Sequence, residues 1–546
     1  MATKKLPIDP LDGPKIALAG DVVAMDDPLT VTRAGRVYID KGAIVAIRRS
    51  VDPAPAGFET IPVVDTGGTL FPGLIELHNH LAYDALRLWQ VPKKYTNRDQ
   101  WAGIADYRRL VSGPMTVIGK TPSLVPALIR YVEAKCLVGG VTTSQGIALF
   151  SNAGIRRFYR GIVRNVEATE DVDLPEAETR IADVEAKDAS KFLARLKRET
   201  CFLLHLSEGV DAKARAHFLA LNIGADQWAI SPQLTGIHCA ALQPEDFAVM
   251  GALGGAMVWS PMSNLLLYGA TANIRAAIDA GVRIGIGSDW SPSGSKNLLG
   301  ELKVAWLVAQ QVGGLTKQDI IAMATRTAAR ILGWGAALGT LEPGKRADLL
   351  VVRGTSADPY DLLIRAKESD ISLVVINGVP RFGRNPLMTS LNAKGESLTI
   401  DGEQRMVFLK QDTQDPLVGA IKLAQAASAL EDALSTLPAL AKALEKPKPV
   451  AALGPKRAPP TWQLALDEIE DTGVDLRPRL RDRRSKTLTG ATRRIAAKAA
   501  PPLSQVLQPL ELDPLTVADD ADFVPSLATQ RNLPQFVKDG LPPLYL

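Results

Sequence analysis

The sequence predicts an α/β protein in which a small β-unit, contributed by both flanks of the chain, is interrupted by a barrel-sized insertion of alternating strands and helices. Residues 16–66 read as short strands separated by turns. From residue 73 to about 339, short apolar strands alternate with longer helical stretches, the signature of a parallel layer structure. Strand and hairpin signals return from residue 347.

In the first flank, residues 16–25 are apolar, residues 37–47 carry Asp40-Lys41-Gly42 as a turn, and residues 61–65 follow a Pro/Ala-rich loop. Strands are expected in the middle at 73–80, 140–145, 162–167, 201–205, 234–238, 256–260 and 282–289, with an eighth near 180–184. The second flank offers a strand at 347–353 and hairpins across 371–382 and 397–409. Their tips, Asn377-Gly378 and Asp401-Gly402, tolerate the positive φ angles of tight hairpin turns. The expected domains are a composite β-unit of residues 1–72 and 340–415, and a middle domain of 73–339. A helical segment (416–445), a linker (446–460) and a C-terminal extension (461–546) of open role follow.

A chain of 546 residues can bury a large core without staples. Hydrophobic residues at 46 %, charged residues at 22 %, 44 glycines and 37 prolines exclude wholesale disorder and fibrous structure. A net charge of +4 is too small to imply nucleic-acid binding over the whole molecule. The three cysteines, Cys136, Cys201 and Cys239, build neither a disulfide framework nor a zinc-finger pattern, which suits a reducing compartment. No segment reaches the ~18 apolar residues of a membrane span. A cytoplasmic location is expected, with a small-molecule substrate as partner, no nucleic acid and no membrane. A homo-oligomer is compatible with the sequence.

The segment Phe71-Pro-Gly-Leu-Ile-Glu-Leu-His78-Asn79-His80 carries the most chemistry. On a strand, His78 and His80 point to one side, where two imidazoles can share a metal ion. That pattern alone is weak; histidine scarcity strengthens it. The chain has five histidines, and His205 and His238 also end apolar strands. In a barrel of parallel strands those ends converge on one face. Asp289 ends another strand, placed to accept a proton or to ligate, although taken alone it reads as a turn or helix-cap aspartate. Glu208, three residues past His205, can overhang the pocket and move protons, or be a solvated loop glutamate. Tyr83, Trp89, Trp259 and Trp290 flank these motifs and suit either a pocket for a flat ligand or simple packing. His217 reads as an exposed helix residue.

The motifs Pro72-Gly73-Leu-Ile-Glu-Leu-His78-Asn79-His80, Gly140-Val-Thr-Thr143, His205-Leu-Ser-Glu208, Gly236-Ile-His238-Cys239, Ser260-Pro-Met-Ser263-Asn264, Gly287-Ser-Asp289 and Leu341-Glu-Pro-Gly344-Lys-Arg-Ala-Asp348-Leu resemble the amidohydrolase superfamily, in its single-metal deaminase and chlorohydrolase branch. The resemblance implies a distorted (β/α)8 TIM-like barrel beside a β-sandwich formed from both flanks. It implies one divalent ion, zinc or iron, on His78, His80, His205 and Asp289. Glu208 would be the proton shuttle, His238 would polarise the substrate or orient the attacking water, and Ser263 and Asn264 would hold the loop or the substrate. Glu76 departs from the aspartate that many relatives carry there.

The function so implied is metal-dependent hydrolysis of a non-peptide carbon–nitrogen bond in a heterocyclic amine or a cyclic amide. A two-metal cyclic amidase or dipeptidase-like enzyme would need a carboxylated lysine on a middle strand, and residues 140–145 and 162–167 contain none. A non-catalytic scaffold on the same fold would be expected to lose ligands, and the set is complete. The basic residues of 477–498 are expected to be solvated or to meet an acidic partner, for which the acid-rich stretch 511–522 is a candidate. The apolar residues 533–546 are expected to dock on the main body.

Overall fold

The computed structural model describes residues 11–224, 226–446, 461–466 and 501–545. The expected linker beyond Lys446 and the basic run 477–498 lie outside the described residues.

Both flanks build one nine-stranded sheet. Ile16–Val23, Val31–Asp40, Ala43–Arg49 and Val63–Pro72 come from the first flank. Leu349–Arg353, Ile371–Ile376, Val379–Arg384, Glu396–Ile400 and Glu403–Val407 come from the second. The flanks join where Val63–Pro72 runs antiparallel to Leu349–Arg353, pairing Pro72 with Leu349 and Gly68 with Arg353. The turn chemistry read from the sequence sits at the strand ends. Asn377 and Gly378 have φ of 48° and 74°, and Asp401 and Gly402 have φ of 49° and 72°, the paired positive angles of hairpin turns matched to strand twist.

Between the flanks lie two parallel sheets. One orders Ala177–Arg180, Cys201–Leu206, Leu234–His238, Ala256–Trp259 and Arg283–Ile286; the other orders Leu74–Glu76, Val141–Ser144 and Arg164–Asn165. Hydrogen bonds join them at both edges, from Leu77 N to Ile286 O at 3.3 Å and from Ala177 N to Val166 O at 2.8 Å. This is a mixed α/β, TIM-barrel-like arrangement. The strand expected at 180–184 is Ala177–Arg180 instead. Its register pairs Ala177 with Cys201, and Arg180 closes a turn by donating from Nε to Ala182 O at 2.6 Å.

The expected helical segment is two helices, Leu423–Ser435 and Leu437–Glu445, the second carrying proline in its first turn. Residues 501–545 dock on the main body through buried Leu527, Val537 and Leu541. Part of the acidic stretch already has partners on the main body. Asp513 pairs with Lys135 and Lys296, and Asp520 with Lys296 and Arg87, because buried ammonium groups require counter-charge. Among the described residues no helix is long and apolar enough to cross a membrane.

Candidate metal centre

His78 and His80 follow the strand Leu74–Glu76, and Asp289 follows Arg283–Ile286. The two segments run on together. Asp289 N donates to His78 O at 3.0 Å and His80 N to Asp289 O at 2.6 Å. Only glycine permits this approach at position 287, where a Cβ would stand 2.5 Å from His78 O. Parallel register brings His238 opposite Leu206, beside His205. His238 and Asp289 adopt left-handed φ of 68° and 69°, strain that the surrounding strands hold in place.

The side chains converge. His78 Nε2 lies 2.9 Å from Asp289 Oδ1, His80 Nε2 lies 3.5 Å from the same oxygen, and His205 Nε2 lies 3.3 Å from His80 Nε2. Ligand atoms about 3.3 Å apart are what a tetrahedral ion with bonds of ~2.0–2.1 Å requires. His78 Nε2 is buried and, despite its closeness to Asp289, lacks hydrogen-bond geometry to any partner. Those are the properties of donors facing a shared cation. Ligand atoms of His78, His80 and Asp289 lie within 4.8 Å of one another, as do those of His78, His205 and His238.

Protonation also suits a cation. Burial holds the His78 imidazole below its ordinary range, and burial with the neighbouring imidazoles holds His205 well below it, so both present neutral nitrogens. Asp289 is pushed up by burial, but the surrounding histidines together outweigh this and hold its carboxyl below the ordinary range.

A surrounding layer fixes the ring orientations. Asn79 N donates to Gln145 Oε1 at 3.0 Å, which identifies that atom as the acceptor; the 2.9 Å contact from His78 Nδ1 is then an N–H donation, leaving the Nε2 lone pair for an ion. Likewise His238 Nδ1 lies 3.0 Å from Asn264 Oδ1, while Asn264 Nδ2 donates to Thr271 Oγ1 at 3.2 Å. Glu76 accepts from Ser288 N at 3.0 Å and from the Ser288 hydroxyl, tying its strand to the segment that carries Asp289. Burial raises its carboxyl to about 7.

Glu208 is buried beside His238, its Oε2 lying 3.8 Å from Nε2. Tyr83 and Trp290 pack on His80, their rings 6.3 Å and 5.6 Å from the imidazole and 5.2 Å from each other. Trp89 belongs to the next layer, against Tyr95 and Tyr107. Asn264 touches His238 rather than open space, and Ser263 is buried on the same helix, Pro261–Tyr268. His217 is half-buried, not exposed, with Nδ1 3.1 Å from Asp183 Oδ1. Sequence reasoning missed Gln145, Tyr268 and Trp101. Gln145 ends an expected strand, the one local sign available.

The profile described as "Amidohydrolase family" matches residues 229–381. Among curated relatives, a 5-methylthioadenosine/S-adenosylhomocysteine deaminase of Moorella thermoacetica is 26 % identical over 395 residues, covering 64 % of this chain and 88 % of that protein. One of the same description from Desulfitobacterium hafniense is 26 % identical over 424 residues, covering 69 % and 95 %. Among solved structures, the zinc complex of an atrazine chlorohydrolase from Arthrobacter aurescens superposes with a TM-score of 0.50 at 20 % identity, covering 67 % of this chain and 94 % of that one. An Escherichia coli guanine deaminase gives 0.51 at 16 % identity, covering 68 % and 100 %; both likenesses are likenesses of fold. Residues 229–381 thus match the amidohydrolase family model, and about two thirds of the chain is similar to curated deaminases.

Proposed function

We propose that the chain is a single-metal hydrolase that removes an amino group from a heterocycle, with zinc held by His78, His80, His205 and Asp289. The broader activity is that of a metal-dependent hydrolase of non-peptide carbon–nitrogen bonds. The observation that carries the reading is the cluster in which His78 and His80 lie 2.9 Å and 3.5 Å from Asp289 Oδ1 and His205 lies 3.3 Å from His80, with Glu208 and His238 beside them. A divalent ion bound there would supply Lewis acidity and a water acidified toward neutral pH.

The chain's own groups do the rest. Glu208 Oε2 takes the proton of the attacking water as the C–O bond forms at the ring carbon, then returns it to the amino nitrogen, so that the C–N bond breaks and ammonia leaves. His238, its Nδ1 engaged by Asn264, turns Nε2 to the substrate. Tyr83 and Trp290 give the side of the cluster next to His80 an aromatic wall, which suits a flat heterocycle, and the curated relatives are named as deaminases of adenosine derivatives. A lysine for a second metal is missing from the strands Val141–Ser144 and Arg164–Asn165, which favours one ion. Zinc is preferred because a solved relative holds it. The reading entails the parallel strands closing as a distorted barrel and the nine-stranded sheet curling as a sandwich. The three cysteines are buried and unpaired, as befits a cytoplasmic location.

The test is a screen of zinc-loaded protein against aminated purines and nucleosides, other aminated heterocycles, cyclic amides and N-acyl compounds, with ammonia and zinc content as readouts. Ammonia release with one zinc per chain is expected. Turnover of cyclic amides alone, or two metals per chain, would replace the deaminase reading by a cyclic amidase.

A further inference from the structure

We propose that Asp513, from the C-terminal segment, is a positioning residue that clasps the two ligand-bearing segments and sets the spacing of His78 and His80 against Asp289. The inference rests on the metal site proposed above. Lys296, seven residues beyond Asp289, donates to Asp513 Oδ1 at 2.6 Å, and Lys135 donates to Asp513 Oδ2. Lys135 Nζ also reaches one group on each segment, Asp84 O at 2.8 Å and Ser291 Oγ at 3.0 Å. The Asp84 carboxylate accepts from Ser291 N at 2.8 Å and, through its other oxygen, from Asn79 Nδ2 at 3.0 Å. Asn79 sits between His78 and His80. One carboxylate from the far end of the chain is thus linked to the ligand pair through three residues, Lys135, Asp84 and Asn79.

Burial makes this clasp expensive to lose. The side chains of Lys135, Lys296 and Asp513 are 2 %, 1 % and 3 % exposed. The segment is itself pinned, since Asp513 N donates to Ala85 O at 3.0 Å, Tyr131 Oη donates to Asp513 O at 2.6 Å, and Leu512 pairs with Leu86. Asp520 also bridges the two segments, through Lys296 and through Arg87, seven residues beyond His80, but it does so without Lys135. Its charged partners are Lys296, at 2.7 Å, and Arg87, and it has no hydrogen bond or ion pair with Lys135, Ser291 or Asp84. Comparing the two aspartates therefore separates the inner contacts made through Lys135 from the outer bridge and from charge balance.

The experiment measures zinc affinity by chelator competition on the full-length chain, with circular dichroism and melting temperature as fold controls. Asp513→Asn is expected to weaken zinc binding about tenfold or more, the usual effect of losing an outer partner of a metal site, while Asp520→Asn stays within about threefold. Should Asp513→Asn fail to fold, the charge-balanced double variant Lys135→Met/Asp513→Leu decides, with the same weakening expected. Wild-type affinity in a folded Asp513→Asn or double variant overturns the clasp, as does an equal loss in Asp520→Asn. A wild-type chain that binds no zinc overturns the metal site itself, and the clasp with it.

Discussion

Tyr268 donates its phenolic hydrogen to Glu208 Oε1 at 2.7 Å and accepts one from Trp101 Nε1 at 3.0 Å. Burial, reinforced by the Glu208 charge, pushes the phenol well above its ordinary range and keeps it a donor. The Glu208 carboxylate is therefore divided: Oε1 is anchored, and Oε2 is the oxygen that faces His238. A proton shuttle must return its proton to a defined place, and an anchored carboxylate cannot swing away between the two transfers.

Glu208→Gln keeps the shape of the side chain and removes its basicity. Turnover should fall by about 10³-fold or more, the scale of a lost general acid–base group, with zinc content unchanged. Kinetics on a substrate from the screen, paired with metal analysis, check this. Full activity in the variant would take the shuttle role away from Glu208.

Tyr268→Phe removes the anchor and leaves the carboxylate. A kcat lower by about 10–100-fold, with KM and zinc content nearly constant, is the expected pattern for a group that orients the shuttle without binding substrate. Trp101→Phe should move in the same direction by less, since Trp101 acts through Tyr268. A change confined to KM would place Tyr268 in substrate binding instead.

Features of the site that were legible in the sequence share one physical property: each is fixed by a strand end. His78, His205, His238 and Asp289 all terminate apolar runs, and parallel strands carry such residues to one face. The hairpin tip Asn377-Gly378 was legible because positive φ selects those residue types. Contacts made by long-range approach were not. Trp101 and Tyr268 are 167 positions apart, and Lys135 and Asp513 are 378 apart, with no local pattern at either end. His217 looked exposed because its partner Asp183 lies in a different segment. The acidic stretch 511–522 was legible as charge, yet its partners were buried lysines in regions that read as ordinary helix and loop.

Buried Glu301 yields a pH prediction of defined sign. It accepts from Met262 N at 2.9 Å and from the Ser295 hydroxyl, and burial raises its carboxyl from an ordinary 4.5 to about 8. Between those values the unfolded chain has released a proton that the native state keeps. The contribution is thus fully present below about pH 4.5 and is lost as pH rises through about 8. Glu301→Gln cannot ionise and retains both contacts. Its melting temperature relative to wild type should climb between pH 5.5 and 8.5, by an amount on the order of a few kcal/mol in stability. An offset that stays flat with pH would mean that Glu301 is ionised in the native state.

A buried ion pair ties the composite sheet to the parallel strands. Arg164, on the strand Arg164–Asn165, donates to Asp348 at 2.6 Å and 3.3 Å and to Asn377 Oδ1 at 3.1 Å. Asp348 also accepts from Asn377 N at 2.8 Å, so the motif 341–349 serves the junction between sheets rather than the histidine cluster. The Arg164 and Asp348 side chains are 1 % and 4 % exposed. Removing one partner strands the other charge away from water, at about 3–5 kcal/mol, whereas removing both removes the uncompensated charge. Arg164→Met and Asp348→Leu should each destabilise by that amount. The double variant should lose much less than the sum, giving a coupling of more than about 1 kcal/mol in a denaturation cycle. Strict additivity would show that the pair holds nothing together.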